Sequence, residues 1–295
     1  MPETDLAVHP TPPSPPPGEP EAWRTPLAKR LEKGDFDLPM LPRTATEVVR
    51  LAGDSEGDAP RLSEVIHRDP ALAGYVLRIA NSPAYLPRTP IVSLQQAVTR
   101  LGFTVLGEIA LAASLQSGIF HVGRHEGDLQ RLWKHALASA GFAREIARDK
   151  RANVENAFLC GLLHGIGKPA VLQLVADLES EREEEIPGET LDALLDEFHV
   201  GIGAALAERW ELPSPVQEAL AHYRDVGRTN ALPVGVLVTA TASQLATHLL
   251  TPEDLDEATL RAHPGFAALN LYPEDVDALL EKREAVRALV GSMTL

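Results

Sequence analysis

The chain of 295 residues contains a single cysteine, Cys160. One thiol can form no internal disulfide and leaves a thiolate metal cluster without ligands, which points to a reducing, cytoplasmic setting. Positive charge is scarce. Lysine and arginine total 27 against 42 aspartates and glutamates, a formal net charge of −15. That balance excludes the basic face with which general nucleic-acid binders meet phosphates. It also argues against docking on an anionic membrane leaflet. The first twenty residues hold no lysine, no arginine and no apolar run of signal-peptide length. The longest uncharged stretch, 229–252, is interrupted by Asn230, Pro233, Ser243, Gln244 and His248. It is too polar to insert in a membrane and reads as a buried core helix. Alternating β-branched runs bounded by hairpin turns are missing, and so is any repeat of fixed period.

What is present reads as globular: 44% of residues are hydrophobic, in a chain long enough for one large domain or two small ones. Nine of the 24 prolines fall within residues 1–26. The run from His9 to Pro20 lacks the N–H donors of a regular element, so residues 1–22 are expected to form a disordered, polyproline-II-leaning tail. Such a tail serves either as a docking peptide or as a plain tether. Beyond it, helix signals follow one another. Thr25-Pro26 reads as a start and Gly34 as a stop. Thr44 with Glu47, and Ser93 with Gln96, have the spacing of capping boxes. Asp69-Pro70 opens a helix whose Leu72, Val76 and Ile79 share one face, and Asn81-Ser82-Pro83 ends it. Thr251-Pro252-Glu253 and Pro273-Glu274-Asp275 place acids at positive helix ends. The expected fold is therefore all-α, a multi-helix bundle with an N-terminal helical subdomain over 23–124, a second over 125–250, and C-terminal helices over 251–295 packed on the second. Residues 177–197 carry ten carboxylates against Arg182 alone, a tract that reads as a solvated helix edge or loop.

Leu162-Leu163-His164-Gly165-Ile166-Gly167-Lys168 is the most informative segment. As a phosphate loop it fails. Five residues separate Gly161 from Gly167, where that motif has four, and Pro169 stands where a magnesium-binding hydroxyl belongs. Histidine chemistry is the alternative. His135, His164, His199 and His222 fall on four successive expected helices, the way metal sites in bundles are assembled.

His135, the LLHGIGK segment, His199-x-x-x-Gly203, Trp210-Glu211-Leu212-Pro213 and His222 together resemble the frame of the HD phosphohydrolase superfamily. Upstream, Leu38-Pro39-Met40-Leu41-Pro42, Asp69-Pro70-Ala71-Leu72, Asn81-Ser82-Pro83 and Ala97-Val98-Thr99-Arg100-Leu101-Gly102 resemble its HDOD variant. The likeness runs from about Leu38 to Leu250. It implies a degenerate HD-like subdomain over 125–250.

The departures bear on chemistry. Active relatives carry Asp directly after the second histidine, where this chain has Gly165. A second Asp is expected on the helix after His222, where the counterpart is Ser243. A double-histidine position of binuclear relatives is His222-Tyr223 here. Neutral imidazoles alone bring no charge to offset a dication, and a low-pKa metal hydroxide is then hard to assemble. The resemblance thus implies a bacterial, cytoplasmic signal-transduction module without catalytic residues, metal or cofactor. His135, His164, His199 and His222 would line a vestigial pocket. Its partners would be other signalling proteins, with a cyclic-dinucleotide pathway component among them. Two alternatives stay open: a metal-dependent phosphohydrolase with an atypical ligand set, and a nucleotide-sensing module binding near Lys168. Arg78 and Asn81 are the best candidates for a polar contact with a partner. Cys160 reads as a buried thiol, and Trp133 and Trp210 as packing residues.

Overall fold

The computed structural model describes residues 19–33, 39–52, 59–85, 89–116, 118–229 and 231–294. The proline-rich run up to residue 18, Gly34 and Leu38 lie outside the described residues. Helices and short 3-10 turns account for the regular structure, and the described residues contain no strand. The first half comprises α1 (Glu19–Lys33), α2 (Arg43–Ala52), α3 (Ala59–His67), α4 (Pro70–Ala80), α5 (Leu94–Leu101) and α6 (Phe103–Gln116). The second comprises α7 (Glu126–Asp149), α8 (Val154–Leu163), α9 (Gly167–Arg182), α10 (Gly188–Arg209), α11 (Ser214–His222) and α12 (Val234–Leu250). Four short helices close the chain: α13 (Glu257–Arg261), α14 (Pro264–Ala268), α15 (Pro273–Glu281) and α16 (Arg283–Met293).

Several helix starts follow the local chemistry of the sequence. The Asp69 carboxylate accepts from the backbone N–H of Ala71 and Leu72 and opens α4. The Ser93 hydroxyl accepts from Gln96 N–H and opens α5. Other starts shift. The first helix begins at Glu19 with Pro26 in its interior, six residues before the expected start at Thr25. Trp23 and Leu27, four residues apart, are both buried, and the Arg182 guanidinium lies 4.7 Å from the Trp23 ring centroid. That tertiary packing outweighs the proline's missing donor. Thr44 lies inside α2 instead of capping it. Residues 252–255 form turns, and α13 begins only at Glu257, capped by Asp256.

In the second half, α7 packs along α8 and α12, α9 pairs with α10, and α11 touches α8, α10 and α12. In the first half, α6 gathers α2, α4 and α5. Two elements cross the expected division. By sequence α1 falls in the N-terminal subdomain, yet it packs on α9 and α10. The C-terminal α16 packs on both α7 and α6, and the Met293 carbonyl accepts from both Tyr75 Oη and Gln116 Nε2. The apolar stretch 154–182 is long and apolar enough to cross a membrane, but 83% of its window is buried inside this bundle.

The two glycines of the HGIGK segment have different duties. A Cβ on Gly167 would overlap the His199 carbonyl oxygen and lie 2.8 Å from Gly203 N, because α9 and α10 cross backbone to backbone there. A Cβ on Gly165 would meet nothing within 4 Å. Gly167→Ala should therefore cost about 3 kcal/mol or more in urea unfolding, since the clash is with backbone. Gly165→Ala should stay within about 0.5 kcal/mol of the parent.

Candidate functional site

Three of the four histidines come together. His135 on α7, His164 at the end of α8, Tyr223 just after α11 and His199 on α10 form a row of rings in that order. The His135 and His164 ring centroids are 5.5 Å apart, and the Tyr223 ring lies 5.0 Å from His164 and 6.1 Å from His199. His222 departs from the expected frame. Its side chain is exposed and its Nδ1 lies 2.9 Å from the carboxylate of Asp225, three residues on. Tyr223 takes the inward place instead.

Hydrogen bonds fix the tautomer of each buried imidazole. His199 Nδ1 donates to the Leu195 carbonyl at 2.7 Å, so its Nε2 is the acceptor and receives the Tyr223 hydroxyl at 2.6 Å. His164 Nδ1 donates to the Gly161 carbonyl at 2.7 Å, which leaves its Nε2 lone pair with no partner among the described residues. The Thr247 hydroxyl donates to the Ser243 carbonyl, so His135 Nε2 donates to Thr247 Oγ1 at 3.0 Å. The lone pair of His135 therefore sits on Nδ1, 3.5 Å from Ser139 Oγ on its own helix.

All three rings are held neutral. Burial, reinforced by the charge of Lys168, pushes His135 and His199 down to about 4. Burial and the neighbouring His135 push His164 down to about 3. Burial raises the phenol of Tyr223. Cys160 is buried, and burial pushes its thiol up to about 12, which keeps it protonated and unreactive.

His135, His164 and Tyr223 line a cavity of about 960 Å³, and so do Gly165, Lys168 and Ser243. Lys168 forms an ion pair with Asp196 at 3.3 Å, and Asp196 also meets Arg224 at 3.4 Å. Lys134 and Arg228 line the same cavity and have no ion pair or side-chain hydrogen bond among the described residues. The other two expected contact residues lie elsewhere. Asn81 spends its amide on the backbone, bonding the Leu77 carbonyl and both the N–H and C=O of Ile91. It is a staple for the α4–α5 connection and has no free polar group to offer. Arg78 is exposed, with its guanidinium 4.7 Å from the Tyr75 ring centroid.

These donors do not fit a catalytic dication. Of the lone pairs on His135, His164 and His199, only His164 Nε2 is left to the cavity, and no carboxylate stands at Gly165 or Ser243. Among the described residues no three His, Cys, Asp or Glu side chains are disposed to hold one metal ion.

The sequence pattern of the HDOD domain matches residues 38–226, more than half of the chain. The chain belongs to the HDOD domain family. The match takes in the caps of α4 and α5 and everything from His135 to Tyr223, and stops before α12, which carries Ser243. An uncharacterised protein of Treponema pallidum (strain Nichols) is 27% identical over 216 residues, 68% of this chain. The HDOD chain spans about 40% of the length of that relative. Solved structures share the fold. An HDOD domain protein of unknown function from Geobacter sulfurreducens superposes with a TM-score of 0.71 at 23% identity, covering 93% of this chain and 99% of that one. A Shewanella amazonensis SB2B protein, provisionally named a metal-dependent phosphohydrolase, gives 0.70 at 22% identity over 94% and 99%. A Marinobacter aquaeolei VT8 protein, provisionally named a signal transduction protein, gives 0.67 at 23% over 94% and 66%. At these identities the likeness establishes the all-α HDOD fold.

Sequence reasoning missed Tyr223 as the ring between His164 and His199. The signal was its position beside His222, with Asp225 placed to take the histidine away. Two outcomes follow. Tyr223→Phe strips the donor from buried His199 and should cost about 1–2 kcal/mol of stability. Each buried histidine takes up a proton near 6.5 when unfolded but only at about 4 or below when folded. Stability should therefore be full above pH 6.5 and fall below it, by up to roughly 1.4 kcal/mol per pH unit per histidine, as urea titrations at several pH values would record.

Proposed function

We propose that this HDOD protein is a regulatory module of a cytoplasmic signalling network that performs no hydrolysis itself and acts by binding other proteins. One observation carries the reading. The Tyr223 hydroxyl occupies the lone pair of His199, in a cluster with no carboxylate at Gly165 or Ser243. A phosphohydrolase with an atypical ligand set would need an anionic ligand to offset its metal and orient water, and this cluster supplies neutral imidazoles already bonded to other groups. The expected result is that the purified protein, given manganese or iron(II), leaves bis(p-nitrophenyl) phosphate unhydrolysed. Metal-dependent turnover abolished by His164→Ala would overturn the reading.

A second reading is favoured by the cavity. Its volume of about 960 Å³ lies at the upper end of the range for small-molecule sites, and Lys134 and Arg228 line it without ion pairs. A nucleotide such as a cyclic dinucleotide would then set which partner surface is presented. Calorimetry against a cyclic-dinucleotide panel tests this. Saturable heat weakened about tenfold by Lys134→Ala would support it, and no heat from any member would remove it.

A further inference from the structure

Of the imidazoles in the cluster, His164 alone has a lone pair to give. His199 Nε2 is taken by the Tyr223 hydroxyl. His135 Nε2 donates to Thr247 Oγ1, and its Nδ1 lies against Ser139 on its own helix. His164 Nδ1 donates to the Gly161 carbonyl at 2.7 Å, which fixes the ring and leaves the Nε2 lone pair open to the cavity. The residue is only 3% exposed. Burial and the neighbouring His135 push its imidazole down to about 3, so no proton competes for that lone pair near neutral pH. A Cβ on the next residue, Gly165, would meet nothing within 4 Å, so the chain leaves room beside the ring.

A buried acceptor held in this way calls for an occupant. A bare ion is not that occupant, because no three His, Cys, Asp or Glu side chains among the described residues are disposed to hold one. A metal that meets a single protein nitrogen must arrive with the rest of its coordination already supplied. A porphyrin does this with four nitrogens of its own, and haem iron is commonly completed by one histidine. Such an imidazole is oriented by bonding its other N–H to a carbonyl or carboxylate, as His164 does with Gly161.

The rest of the cavity suits a large, flat, apolar ligand with an acidic edge. Its volume of about 960 Å³ is ample, and Leu132, Leu162, Ile166, Leu195 and Leu250 form apolar wall. Lys134 on α7 and Arg228 in the turn after α11 carry no ion pair among the described residues and can meet carboxylates. Acids line the cavity as well. Asp128 and Asp196 are held by Arg131 and Lys168. Asp192 on α10 and Asp254 after α12 stand on other elements than the two free cations.

We propose that the cavity binds one haem, with its iron on His164 Nε2 and its propionates on Lys134 and Arg228. His135 and His199 are committed elsewhere, so the cluster offers no second axial ligand and the far side of the iron is left to a small molecule such as carbon monoxide. The inference goes beyond the regulatory reading and needs it only for what the bound haem would signal. It competes with a nucleotide for the same cavity.

The test is a titration of the whole protein with haemin, followed by its Soret absorption, with metal-free protoporphyrin as comparator. Saturation at one haemin per chain is expected, with a dissociation constant on the order of 1 μM. Protoporphyrin keeps the propionates and the apolar faces but has no iron, so it should bind at least about tenfold more weakly. His164→Ala should weaken haemin binding about tenfold or more and abolish the histidine-ligated spectrum, which added imidazole should restore. Lys134→Ala combined with Arg228→Ala should weaken binding about tenfold and leave the spectrum unchanged. Should His164→Ala fold poorly, electron paramagnetic resonance of the ferrous nitrosyl form of the parent protein reads the same bond, and splitting from one axial nitrogen is expected. Absence of saturable binding, equal binding of protoporphyrin, or a nitrosyl form without that splitting would overturn the proposal. So would a His164→Ala protein with the parent's spectrum, or unchanged affinity in the Lys134, Arg228 double variant. Saturable heat from a cyclic dinucleotide with no response to haemin would overturn it while leaving the nucleotide reading in place. Hydrolysis in the phosphodiester assay would defeat the regulatory reading and leave the haem result standing.

Discussion

Three imidazoles buried side by side in one helical core must all stay uncharged, and the second half of the molecule is arranged around that constraint. A charged imidazole in such a place would need an anion beside it. The chain supplies none at Gly165 or Ser243. It supplies carbonyls instead: Gly161 and Leu195, each one helical turn before the ring it serves, take the N–H of His164 and His199. The Tyr223 hydroxyl takes the remaining lone pair of His199. The cluster is thereby neutral and hydrogen-bonded on every ring, with His164 Nε2 left open to the cavity among the described residues, and bonds of this kind hold helices in register. The crossing of α9 and α10 at Gly167 and Gly203 belongs to the same arrangement. It brings the backbone of the HGIGK turn against His199 so closely that a side chain has no room.

How legible this was depended on the range of the interaction. Asp69 and Ser93 act within three residues of themselves, so their caps could be read directly. Pro252 misled because Asp256, four residues on, is the cap that opens α13, and Pro26 misled because its neighbourhood is settled at long range. The buried Trp23 and the contacts of α1 with α9 and α10 carry the first helix back to Glu19. The histidine frame was legible as a set of positions but not as a set of directions. At the end of α11 successive residues turn by about 100°, so His222 and Tyr223 cannot both face inward. Spacing alone does not say which does. Asp225 decides it by offering His222 a surface partner, while the tyrosine finds an acceptor in the core.

The acidic tract carries a similar lesson about charge. Counted in the sequence, residues 177–197 form a solvated run. In the fold, several of those carboxylates hold other elements in place. Glu179 accepts from Arg124, His125 and the backbone N–H of Ile186. Glu181 meets Arg30 and Glu197 meets Arg24, so two acids fasten α1 to the second bundle. Exposed pairs of this kind contribute little singly. They work here beside the burial of Trp23, which contributes more.

The placement of acid then separates the two polar interiors of the protein. In the histidine cavity the acids stand on the outer walls among bases, Asp128, Asp192, Asp196 and Asp254 beside Arg131, Lys134, Lys168, Arg224 and Arg228, and Asp196 is paired with Lys168 and Arg224. At the junction of α6 and α7 the reverse holds: Glu108 is buried with one oxygen unpaired and Arg144 only partly neutralises it. Gly165 and Ser243 put no acid beside the imidazoles, while burial raises the Glu108 carboxyl to about 7 against the pull of Arg144, so one polar interior stays neutral around pH 7 and the other changes charge there.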